Sequence, residues 1–257
     1  LAAFQASHGI DAISVTTHGA AAVLLGADGA LAAPMLDYEH DGPDSLAPAY
    51  DALRPGFART GAPRLPRGLN IGAQLHWLLA RDPGLADRVA HILTYPGYWG
   101  WRLTGVMSCD VTSLGCHTDL WEPAAAQFSP LVKALGLHGK MAPARKPAER
   151  LGTISPQVAQ ATGLPADTPV SVGIHDSNAS LYPYLLARPS PFAVVSTGTW
   201  VVAMAMGARP QPLDPARDVL VNVNALGQPV PSARFMGGRE FDQIRAGSMA
   251  QPDAADH

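Results

Sequence analysis

The sequence is short of cysteine and of charge. Two cysteines, Cys109 and Cys116, occur in 257 residues. That is too few for a disulfide framework, and they read as reduced thiols in a cytoplasmic protein. Charged residues make up 15%, against roughly 25% in an average domain. The formal net charge is -3 and no basic stripe is present, so nucleic acid is not expected as a partner. No apolar run approaches the ~20 residues that span a bilayer, and no signal-peptide pattern opens the chain; no membrane partner is expected. Familiar chemical signatures are missing too. No histidine pair has HExxH-type spacing, so no metal ligands are assigned. Walker, GxGxxG and Gly-x-Ser-x-Gly patterns are absent.

What is present is enough for a core. Apolar residues reach 47%, and the length suits one large domain or two small ones. The opening run alternates at Ile13 and Val15 and predicts strands near 11–17, 21–26 and 31–37, with Asp28-Gly29 as a hairpin turn. Residues 41–68 read as a long loop with one short helix at 46–53, of the kind that often serves as a lid or binding loop. Asn70 fits a cap for a helix running to Pro83. "HILTYP" predicts a short strand, "GYWGWRLTG" a helix, and "AAAQFSPLVKALGL" a helix despite Pro130. Ser155, Pro156 and Gly163 mark the ends of another helix. A strand at 169–174 then leads into a helix after Asp176. "FAVVSTGTWVVAMAMG" predicts two strands folding back through Thr197-Gly198-Thr199, with further strands at 219–224 and 230–236. The order of strands and helices indicates a mixed α/β fold, with a boundary at 188–191.

Three places could carry chemistry. Asp176 stands where a strand ends and a helix begins, the usual location of ligands in open α/β sheets. It reads equally as a helix cap or as a general base towards a hydroxyl. "VSTGTW" is either an ordinary hairpin or a turn whose N–H groups and hydroxyls cradle a phosphate. His18 before Gly19 is either a structural histidine or a ligand contact at a strand end. Asp37 and Glu39, after "APML", could accept hydroxyl hydrogen bonds.

Taken in order, "VTTHGAAAVLLGADGALAAPMLDYE", "LTYPGYWGWRLTGVMSCDVTSLGCHTDLWE", "PVSVGIHDSNASL" and "AVVSTGTW" resemble the FGGY carbohydrate kinases. The His-Asp pair and the Gly-Thr-Trp ending look closest to the rhamnulose and fuculose kinase branch. The resemblance implies an actin-like ATPase fold of the ribonuclease-H type: residues 1–188 as most of a sugar-binding domain, residues 189–257 as the start of a nucleotide-binding one. By that resemblance Asp176 would be the general base, while His18, Gly19, Asp37 and Glu39 would contact the sugar. Thr197, Gly198 and Thr199 would hold nucleotide phosphates. ATP with Mg2+ would be the cofactor, and a ketose such as a 6-deoxy ketose the acceptor. The family's Asp-Gly-Thr-type phosphate loop is not in the sequence, so the chain is expected to be a piece, inactive alone. The alternative is a sugar-binding or regulatory module. The oligomeric state stays open, a homodimer included.

Overall fold

The computed structural model describes residues 1–198, 200–209 and 211–247. Thr197 and Gly198 are therefore included, whereas Thr199 lies outside the described residues.

The first half of the chain is built from short strands joined by capped helices. Thr16–Thr17 runs parallel to Ile174–His175, and Ile13 bridges Val170 in the same sense. Ala22–Leu25 pairs antiparallel with His91–Thr94. The predicted return strand at 31–37 shrinks to a single bridge between Leu31 and Leu25. The Asp28-Gly29 turn itself forms, with Gly29 at φ 78°. The chain then leaves the sheet before Pro34, which has no N–H to give to a ladder.

Helices begin where their caps are. Asn70 Oδ1 accepts from Ala73 N at 3.2 Å and opens Ile71–Arg81. Ser155 opens Pro156–Thr162, and Gly163 closes it at φ 70°. Residues 121–134 depart from expectation. They form a small hairpin, Trp121–Glu122 against Gln127–Phe128, and then a helix confined to Pro130–Ala134. Pro130 starts that helix: Ser129 caps it, and a proline in the first turn lacks only an N–H that would be unpaired anyway.

The 41–68 segment is anchored to the body of the protein. It contains Gly42–Leu46, Ala47–Leu53 and Phe57–Thr60. Tyr50 Oη, Arg54, Thr60 Oγ1 and Asn70 Nδ2 all donate to the fully buried carboxylate of Asp119. Four of these five hydrogen bonds come from the 41–68 segment and fasten it to the body of the protein.

The second half is a four-stranded antiparallel sheet with strand order Phe192–Ser196, Val201–Met206, Pro229–Phe235, Val219–Val223. The core comes in several clusters. Leu24, Ile71, Leu75, Ile92 and Leu131 form one; Leu25, Leu93, Leu114, Trp121 and Val223 form another. Val223 thus ties the second sheet to the first half. A third cluster joins Leu181, on the Asp176–Ala187 helix, to Met204, Met206 and Val230.

Candidate active site

Strand register brings the two key segments together. Thr17 lies opposite His175 in a parallel pair, so the next residues on each strand, His18 and Asp176, emerge side by side at the carboxyl ends. Gly173, at φ 95°, lets the 169–175 strand bend between its two short paired stretches. Gly19 passes so close to His175 that an added Cβ would sit 2.5 Å from its Nε2. Only glycine permits that approach.

Asp176 is not the cap of its helix. The cap position is His175, and Asp176 is the first helical residue, where the helix dipole favours a negative charge. Its Oδ1 accepts from Ser177 N at 2.6 Å and lies 3.1 Å from His175 Nε2. Its Oδ2 makes no hydrogen bond among the described residues. The side chain is 57% exposed. One oxygen is thus held while the other is free to meet a ligand.

His175 is the buried partner of that carboxylate. Burial holds its pKa below the ordinary histidine value, although the Asp176 and Asp110 charges oppose this. A neutral imidazole with its proton on Nε2 places that proton next to Asp176 Oδ1. It leaves Nδ1 as a bare acceptor, and Nδ1 is buried without a partner. Beneath it runs a buried relay. His175 N donates to Thr112 Oγ1 at 3.0 Å, Thr112 Oγ1 donates to Asp110 Oδ2 at 2.5 Å, and Thr94 Oγ1 donates to Asp110 Oδ1 at 2.7 Å.

His18, Gly19, His175, Asp176, Ser196 and Trp200 line one cavity of about 410 Å³. His18 is exposed; its Nδ1 lies 2.8 Å from the Gly19 carbonyl, and its ring packs against Tyr38 and Tyr95. A second cavity of about 490 Å³ adjoins the first and shares Tyr38, Leu69, Trp200 and Arg234 with it.

The remaining sequence-chosen residues divide. Glu39 lines the second cavity, where it pairs with Arg239 at 3.2 Å across the two halves. Asp37 lines neither; its Oδ1 accepts the Glu39 backbone N–H at 2.7 Å, a local turn. Thr197 and Gly198 are exposed on the turn between the first two strands of the second sheet. Among the described residues a Cβ on Gly198 would meet the Trp200 carbonyl, at 3.8 Å, and neither Thr197 nor Gly198 lines either cavity. For Mg2+, no group of three His, Cys, Asp or Glu side chains gathers among the described residues. A cation held chiefly by substrate phosphates and water needs no such group.

Sequence reading missed Tyr38, Asn222 and Arg234. Arg234 had a signal. In Pro229–Phe235 the buried positions are Val230, Ser232 and Arg234, so strict alternation places the arginine on the inward face. Asn222 had the same signal, the polar residue of the strand VLVNV in step with buried Leu220; Tyr38 carries no such pattern.

Two models of one family match this chain. "FGGY family of carbohydrate kinases, N-terminal domain" covers residues 57–182, and "Carbohydrate kinase FGGY, C-terminal domain" covers 189–257. The crystal structure of a carbohydrate kinase from Novosphingobium aromaticivorans is 44% identical, with a TM-score of 0.85 over 94% of this chain and 54% of that one. An L-fuculokinase of Salmonella typhi is 29% identical over 75% of this chain and 41% of its own length. A rhamnulokinase of Enterobacter sp. (strain 638) is 32% identical over 44% of this chain and 24% of its own. The chain therefore spans about half the length of the relatives it matches, or less. The fold shared with these sugar kinases is the actin-like ATPase fold.

Proposed function

We propose, from the premise that the chain belongs to the FGGY family of carbohydrate kinases, that its cleft is where a sugar hydroxyl is phosphorylated at the expense of ATP. The observation that carries this reading is one cavity shared by Asp176, His18 and Ser196, the residue at the mouth of the 197–199 turn.

In this reading Asp176 Oδ2 accepts the proton of the acceptor hydroxyl while Oδ1 stays bonded to Ser177 N, beside His175 Nε2. Phosphoryl transfer has a loose transition state, so the gain lies in positioning more than in proton abstraction. The relay from His175 through Thr112 to Asp110 fixes the backbone next to the carboxylate. His18 contacts the sugar from the neighbouring strand end. Glu39, from the adjoining cavity, reaches only a long acceptor; Asp37 is assigned no part beyond its turn. Thr197, Gly198 and Thr199 offer N–H groups and hydroxyls to phosphate oxygens. ATP with Mg2+ would supply the phosphoryl group and neutralise its charge. The relatives named for fuculose and rhamnulose support a 6-deoxy ketose as acceptor. Such chemistry belongs in the cytoplasm, where ATP is available.

The test is sugar-dependent ADP release by the protein and its Asp176→Asn variant, over a panel of ketoses, aldoses and polyols. The reading expects Asp176→Asn to lose about 10²–10⁴ in kcat, the usual share of a general base, with sugar binding by calorimetry largely kept. Unchanged turnover in the variant refutes the base. Sugar binding without turnover is also what an inactive piece of a kinase gives, so the binding module is favoured only if nucleotide binding by calorimetry is absent as well.

A further inference from the structure

We propose that Arg234 is an oxyanion receptor in the wall that the second sheet gives to this cleft; its ligand is a phosphoryl group of the nucleotide or a carboxylate carried by the acceptor. The inference deepens the kinase reading and rests on it only for the identity of the ligand.

Arg234 is 9% exposed, a rare state for an arginine without a partner. Its Nε is buried with no hydrogen-bond partner, and none of the ion pairs among the described residues includes it. The Asp218 charge is near, yet the contact to that residue is between backbones, Arg234 N to the Asp218 carbonyl at 3.0 Å. Guanidinium groups remain charged in proteins, and an unpaired buried charge is costly. Something must compensate it, or the site must be held ready for a ligand.

The geometry favours a ligand. The guanidinium lies 4.7 Å from the centroid of the Trp200 ring. That cation–π contact holds the cation over the ring and leaves guanidinium N–H groups to hydrogen-bond. A planar fork presented at its edge is the shape that binds carboxylate or phosphate through two parallel bonds. Both cavities are lined by Arg234, so it stands where they meet. Asn222 lines the first cavity as well, and its Oδ1, an acceptor, is buried without a partner. It suits a hydroxyl donor on the same ligand, while the anionic group falls to Arg234 alone.

The experiment follows the Arg234 Nε–H resonance by NMR, assigned through its loss in Arg234→Lys. Inorganic phosphate and D-gluconate are the two anionic probes, and L-fuculose is the neutral control. The resonance is expected to shift on titration with at least one anion. Affinity for that anion should fall at least about tenfold in Arg234→Gln, as for truncation of a buried charge pair, with a smaller loss in Arg234→Lys. A response to phosphate alone identifies the donor's phosphoryl group; a response to gluconate alone identifies an acid sugar. If neither anion moves the resonance, or if both variants bind anions as the parent does, the proposal is overturned. Anion binding that persists while L-fuculose fails to bind leaves Arg234 standing and counts against the neutral-sugar kinase reading, so the two can fail separately.

Discussion

Replacing Thr112 by valine tests the buried relay under the site without any assumption about substrate. Thr112 is fully buried. Its hydroxyl accepts from His175 N at 3.0 Å and donates to Asp110 Oδ2 at 2.5 Å. Valine keeps the shape and removes both bonds. The His175 N–H is then buried without an acceptor, which costs about 1–3 kcal/mol. Asp110 loses one donor but keeps Thr94 Oγ1 and Ser113 N, so that loss sits near the lower end of the ~1.5–3 kcal/mol for a bond to a charged group. Together the two give roughly 3 kcal/mol, a large part of the ~5–15 kcal/mol that holds a typical protein folded. Urea titration followed by tryptophan fluorescence measures it. At this chain length the melting temperature should drop by roughly 6–12 °C. Thr112→Ser restores the hydroxyl and should recover most of the loss. A Thr112→Val protein within about 0.5 kcal/mol of the parent refutes the relay as a stabilising element.

Two further outcomes are expected. Burial, reinforced by the Arg234 charge, pulls the His117 pKa down to about 3, and burial also lowers that of His175. Each histidine binds a proton more readily unfolded than folded. Its stabilising contribution is therefore present above about pH 6.5 and is lost as pH falls from there towards the lowered folded value. The slope is at most about 1.4 kcal/mol per pH unit for each histidine; part of the His117 residue reaches the surface, so its own share is smaller. Asparagine tolerates the positive φ of 41° at this position. Urea titrations from pH 7 to pH 4 should thus show a shallower decline for His117→Asn, and an unchanged decline would refute the assignment. Gly19→Ala should displace His175, because the new methyl would sit 2.5 Å from Nε2. Sugar affinity by calorimetry is expected to drop about tenfold or more, in line with the cost of misplacing a reacting group; parent-like affinity would show that the ring has room to move.

Local signals in the sequence translated into structure wherever one short-range interaction decides the outcome. Asn70, Ser155 and Gly163 end helices by capping, which needs only neighbours within four residues. The strands of the second sheet followed from alternation. Failures came where tertiary context outweighs local preference. "AAAQFSPLVKALGL" has helical periodicity throughout, yet Gln127 and Phe128 are taken by a hairpin with Trp121 and Glu122. Residues 31–37 alternate acceptably, but the free edge of Leu25 is used by one bridge only. Asp37 offered a carboxylate that could accept a hydroxyl hydrogen bond, and in the structure its Oδ1 takes the Glu39 N–H. Whether such an acid turns inward or caps its own loop depends on a backbone turn that sequence does not reveal.

The position of Asp176 is set twice, and this is why a single acid could be found by order of motifs while its environment could not. Its backbone is placed by the first half, through the parallel register of Thr17 with His175 and the bond from His175 N to Thr112. Its helix is placed by the second half, because Leu181, one and a half turns further on, is fully buried with Met204, Met206 and Val230. A helix fixed at one end by one body and in its middle by another conveys any shift of the second sheet to the carboxylate. The groups that share the cavity with Asp176 are divided in the same way: His18 and Gly19 come from the first body, Ser196, Asn222 and Arg234 from the second. Chemistry that requires an acceptor and a donor to meet in line is served by that division, since neither body alone surrounds the space between them. The motif "GIHDSNASL" encodes the first placement locally; the second depends on Leu181 meeting strands that begin twenty or more residues later, at Val201 and Pro229, and no local pattern announces it.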